Sequence, residues 1–121
     1  MSTSAKSQFL LLFRHPSEGP DPTPEEMQQI MGRWVAWMKG MKANGQFVGA
    51  DRLDEGGKVV RGPGGKSVTD GPFAETKEIV GGYVIVAADS LAQAVELSRG
   101  CPGLDNGTII EVRPIEQLPP I

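Results

Sequence analysis

The chain has 121 residues, 39% of them hydrophobic and 22% charged, with a formal net charge of −3. That length suits one domain over residues 1–121 with a single core, and the composition excludes a disordered polymer. Basic and acidic residues interleave, and no Lys/Arg cluster has aromatic neighbours, so the electrostatic footprint of a nucleic-acid binder is missing.

Residues 1–7 are small and polar and are expected to fray. The run from Gln8 to Arg14 is apolar on both alternate sets, which predicts a strand covered on both faces. Its core, Phe9 to Phe13, is the longest apolar run and is too short for a signal-peptide core or a membrane span. The single cysteine, Cys101, cannot close a disulfide within the chain. A cytoplasmic protein that meets no membrane is the expectation.

Prolines break the chain after His15. Thr23, followed by Pro24 and by Glu26 three residues on, predicts a helix opened by a capping box. Met27, Ile30, Met31, Trp34, Val35, Met38 and Met41 form one stripe, with Trp37 off its centre, and Asn44-Gly45 stops the helix. Gln46 to Leu53 reads as a second strand. Lys58–Arg61 and Lys66–Thr69 read as the arms of a hairpin around a glycine-rich turn. Ile79 to Ala88 is the strongest strand signal, and its adjacent glycines predict a bulge or a close backbone approach. Ser90 and Gln93 have capping-box spacing at the start of a second helix, with Leu91, Ala94, Val95 and Ser98 as its inner face and Gly100 as its stop. Gly107 to Ile115 is the last strand, ended by Pro114, and residues 116–121 are a tail.

This order predicts a ferredoxin-like α+β fold, an antiparallel sheet with two helices on one face and an extra β-hairpin. Two helices cover only one face. Leu10, Leu12, Tyr83 and Ile85 would leave an apolar patch on the other, so a homodimer packed sheet to sheet is expected.

His15, the only histidine, has a side chain able to act as a general base near neutral pH, against the commoner case of a loop histidine with no task. Asp70 opens an Asp-Gly-Pro turn, where the carboxylate ordinarily accepts backbone amides; the alternative is a pairing with His15. Arg14 and Arg52 are candidates to hold an anionic group, and Arg61 is a third; each is also an ordinary strand-edge charge. Phe73 either plugs its loop into the core or stacks a ligand. Gly62 to Ser67 ends like a phosphate loop, but position 60 is Val60 and a strand follows, so nucleotide binding is rejected. One His, one Cys and no ligand spacing argue against a metal, and no cofactor is expected. Cys101 reads as a packed thiol.

The stretch from Thr69 to Val86, with the segment Ser90 to Gly103 and the strand Gly107 to Ile115, resembles the DGPF-motif branch of the YCII-related family. Asp70, Gly71, Pro72 and Phe73 are the naming residues, and the resemblance runs from Phe9 to Ile115. It implies a ferredoxin-like fold assembled into a dimeric α+β barrel. It also implies a His–Asp pair in a cleft, suited to acid–base chemistry, and in a few members action on muconolactone-like small molecules. Asp70 matches the family aspartate. His15 falls near the end of the first strand, where a family histidine is expected, although the proline-rich loop after it departs from the family. Together these readings give a binder of a small, anionic molecule, with cofactor-free acid–base chemistry by Asp70 and His15. The competing reading is a non-catalytic dimeric module, sensing a ligand or binding a protein, in which the motif is structural.

Overall fold

A computed structural model describes residues 6–16, 22–54, 56–71 and 78–120. The elements are β1 (Ser7–Pro16), α1 (Pro24–Ala43), β2 (Phe47–Arg52), β3 (Lys58–Arg61), β4 (Ser67–Asp70), β5 (Glu78–Ala88), α2 (Leu91–Ser98) and β6 (Ile109–Pro114). Four strands form an antiparallel sheet in the order β2-β5-β1-β6, the ferredoxin-like order, while β3 and β4 pair only with each other. The fold is the expected α+β arrangement with an added hairpin.

The ends of α1 form as the sequence dictates. The Glu26 amide donates to Thr23 Oγ1 at 3.1 Å and the Thr23 amide donates to Glu26 Oε1 at 3.3 Å, which closes the capping box. At the other end Gln46 N–H donates to Met41 O and Gly45 N–H to Lys42 O. These are the two bonds of a Schellman stop, and Gly45 takes the left-handed conformation at φ 70°. In α2 Ser90 caps as expected, accepting from Gln93 N–H at 3.1 Å. The reciprocal bond differs: Gln93 Oε1 accepts from the Asp89 amide at 2.6 Å, one residue before the cap. The longer reach of glutamine satisfies the neighbouring donor instead of the cap's own.

One face of the sheet makes the core. Phe9, Leu11 and Phe13 of β1 and Val84, Val86 and Ala88 of β5 are buried with Met41 of α1 and Ala94 of α2. Strand alternation sends these residues to one side and Leu10, Leu12, Tyr83 and Ile85, all half-buried, to the other. Both helices therefore pack on the same face.

The helices are rolled relative to the expected stripes. Phe13 meets Trp34 edge-on at 4.9 Å between centroids and Trp37 at 6.2 Å, and the two indoles stand 5.7 Å apart at 78°. Trp37 is thus part of the packing face, while Met27, Met31 and Val35 sit exposed at its rim. Indoles bury more area than methionines, so they claim the centre. In α2 Leu97 packs on the core, whereas Leu91 and Val95 are exposed, correcting the expected inner face. The last strand also starts later than the sequence implies, because Pro102–Asn106 winds into a 3-10 turn first.

Leu11 is fully buried at the centre of the core. Leu11→Ala should lower unfolding stability by about 2–5 kcal/mol in a urea titration.

Candidate functional site

Two glycines shape the sheet end from which the loop to α1 departs. In the β1–β5 ladder Phe13 faces Gly82 and Arg14 faces Val80, so Gly81 is the extra residue of a bulge. A Cβ on Gly81 would lie 2.8 Å from His15 Cδ2 and 2.9 Å from Nε2, which places that edge of the imidazole against the glycine. A Cβ on Gly82 would lie 2.8 Å from Asp51 O and 3.3 Å from Arg52 Cα, so β2 crosses close over it. The glycine pair therefore provides both features expected of it, a bulge and a close approach. His15 of β1 packs over Gly81 and the β2 backbone at Asp51 and Arg52 packs over Gly82, so His15 and Arg52, both exposed, stand at this end of the sheet.

Arg14 lies on the opposite face. Its Nη2 donates to Glu111 Oε1 at 2.7 Å, and the second Glu111 oxygen lies 3.4 Å from Arg113 Nη1. Glu111 is flanked by Ile110 and Val112, which pack on the core, so the network belongs to the face without helices. Asp51 and Tyr83 share that face: the Tyr83 hydroxyl donates to Asp51 Oδ2 at 3.0 Å. That hydrogen bond, then the aspartate's negative charge, raises the phenol's pKa above its usual value. Sequence reasoning missed this pair because it needs the register of β2 on β5, which places Asp51 opposite Tyr83.

Asp70 ends β4 within the hairpin, where its carboxylate pairs with Lys58 Nζ directly across the two strands. Both groups are well exposed, so the pair adds at most about 1 kcal/mol. Gly71 is buried, its N–H donates to Gly57 O at 3.1 Å, and any side chain there would collide with Val59. This half of the motif thus has a packing reason. Phe73 lies outside the described residues. Arg61 is on β3 of the two-stranded sheet, whereas Arg52 ends β2 of the main sheet. The structure brings His15 and Arg52 to the Gly81–Gly82 end of the sheet, turns Arg14 to the other face and seats Asp70 on the hairpin.

Among the described residues no group of three or more His, Cys, Asp or Glu side chains could hold a metal ion. None of the described helices is long and apolar enough to cross a membrane. Cys101 is buried, and desolvation pushes its thiol up to about 11 against the partial relief of the Gly103 and Leu104 amides.

A ferredoxin-like α+β domain with an inserted hairpin, and with a histidine and an arginine at the glycine-paired end of its sheet, is the class that fold and residues define. The model of the YCII-related domain matches residues 8–118, and the chain belongs to that family. No curated protein matches it.

The glycine pair yields two measurable expectations. Gly82→Ala meets rigid backbone and should cost about 1–3 kcal/mol by chemical denaturation. Gly81→Ala meets only an imidazole and should cost less, with the loss reversed when His15→Ala is added. The raised thiol predicts that Cys101 resists iodoacetamide in the native protein at neutral pH, and that its labelling rate climbs with pH until about 11.

Proposed function

We propose that this chain, a member of the DGPF-motif branch by its Asp70-Gly71-Pro72-Phe73 sequence, is a cytoplasmic homodimer that binds a small anionic molecule at the Gly81–Gly82 end of the sheet. The observation that carries the reading is the packing of the His15 ring against Gly81 and of the Arg52 backbone against the adjacent Gly82. Arg52 supplies a fixed positive charge with a fork of donors suited to a carboxylate. His15 supplies a group that takes or gives a proton near neutral pH. A proton moved between His15 and a carbon next to the bound anionic group is the chemistry that these two side chains support, in the manner of an isomerisation or an elimination, and it needs no cofactor.

Asp70 has two roles open to it. In the acid–base reading it orients His15. Its cross-strand pairing with Lys58 and the tight seat of Gly71 favour the second reading, in which the motif is a structural hinge of the hairpin and the dimer senses a ligand without turning it over. Arg14, held by Glu111, fits the dimer face better than the Gly81–Gly82 end of the sheet. That face has an apolar centre of Leu10, Leu12 and Ile85 with Arg14, Glu111, Arg113 and Asp51 around it, the arrangement of a protein interface.

Small lactones and carboxylates screened for binding and turnover test the reading. Arg52→Gln should weaken binding about tenfold, the loss of one charge-assisted contact. His15→Gln should remove turnover while binding stays within a few-fold. Equal activity in wild type and Asp70→Asn would take Asp70 out of the mechanism. Sedimentation at micromolar concentration should give a dimer, and a monomer would overturn the assembly.

A further inference from the structure

A shallow groove lies on the helical layer of the molecule, along the seam between α1 and the end of α2. Its volume is about 580 Å³, and it is widely open to solvent. Arg33 comes to it from α1, and Arg99 from the C-cap of α2. Asp105 is the one carboxylate among its lining residues, so the two guanidinium groups outweigh it.

Trp37 of α1 lines the same groove. Its indole N–H already donates to Leu97 O at 3.1 Å, which fixes the ring and leaves its π surface as the contact available. Gly100 lines the groove beside it. Its backbone φ is not in the left-handed region, so conformation does not demand a glycine there. Space does: a Cβ would come within 3.0 Å of Trp37 Cδ1 and Nε1. Leu104 adds an apolar surface. A smaller hollow of about 330 Å³ continues past the same tryptophan and Gly100 and includes Glu96, so the seam is cationic at one end and carries a carboxylate at the other. Among the described residues the one ion pair that engages Arg99 is a 3.6 Å contact with Glu96 between two exposed side chains, weak enough for a ligand to replace.

We propose that this groove is a binding site for a small planar anion, an aromatic carboxylate or its like, whose ring lies on Trp37 and whose charge sits between Arg33 and Arg99. An aromatic ring on an indole face and a carboxylate on a guanidinium fork are the two contacts that these residue types make best. The site is separate from the Gly81–Gly82 end of the sheet and stands or falls independently of the function proposed there.

The probe is 1-naphthoate, with uncharged 1-naphthalenemethanol as the control, followed by amide and indole N–H chemical shifts. The chain has two tryptophans, so the two indole signals are assigned with Trp37→Phe. 1-Naphthoate should saturate with shifts at the Trp37 indole and the Gly100 amide, and the alcohol should bind at least about tenfold more weakly. Arg33→Gln combined with Arg99→Gln replaces two exposed side chains, and it should weaken 1-naphthoate about tenfold or more while the fold's spectrum is kept. Undiminished binding in that variant would overturn the proposal. So would equal binding of the alcohol, the absence of saturation up to millimolar probe, or shifts confined to residues around Gly81.

Discussion

The contact on which most of the molecule depends is the edge-on meeting of Phe13 with the two tryptophans of α1. Phe13 ends the buried row of β1, so the indoles dock against the last core position before the strand leaves the helices. That choice rolls α1 and leaves Met27, Met31 and Val35 at the surface. It draws the 3-10 turn inward as well, because a Cβ on Gly103 would lie 2.8 Å from the Trp34 ring. Trp37 then holds the end of α2 through the Leu97 carbonyl. One aromatic cluster thereby fixes the roll of a helix, the path of a turn and the seam between two helices. The underlying reason is area: three large rings bury more apolar surface per residue than any other set that this chain offers.

Much of this fold can be read from the chain because local and global signals agree. Thr23, Glu26, Asn44 and Gly45 name the ends of α1 by chemistry that needs no tertiary context. The doubly apolar β1 and β5 identify the central strands. The roll of α1 is not legible in the same way. Around the helix, Met27, Met31 and Val35 lie on one flank and Ile30, Trp37 and Met41 on the other, with Trp34 between them. Periodicity accepts either flank, and the decision falls to packing against Phe13. The same ambiguity hides Leu97 behind Leu91 and Val95 in α2.

The candidate site divides along a similar line. His15 and Arg52 can be picked out as residue types, and the Gly81–Gly82 pair as an irregularity, but their meeting depends on register. A shift of one residue in β2 would exchange Arg52 with Asp51 between the two faces. Strand ladders fix that register by matching Phe47 to Val86 and Ala50 to Val84 inside the core. Apolar pairs at one end of the sheet thus decide which charges stand at the other. Asp51 with Tyr83, and Arg14 with Glu111, then populate the far face for the same reason.

The separate hairpin has a further consequence for how such a chain can change. β2 and β5 pair with each other directly, and β3 and β4 are inserted between them as a two-stranded sheet of their own. A lone hairpin is only marginally stable in water, so little of the domain's folding free energy is invested there. Residues gained or lost at its Gly62 to Lys66 tip would leave every rung of the main ladder in place. The insertion is therefore the part of the chain with the most freedom to lengthen, shorten or diverge, while its base stays tied down by Gly57 and Gly71.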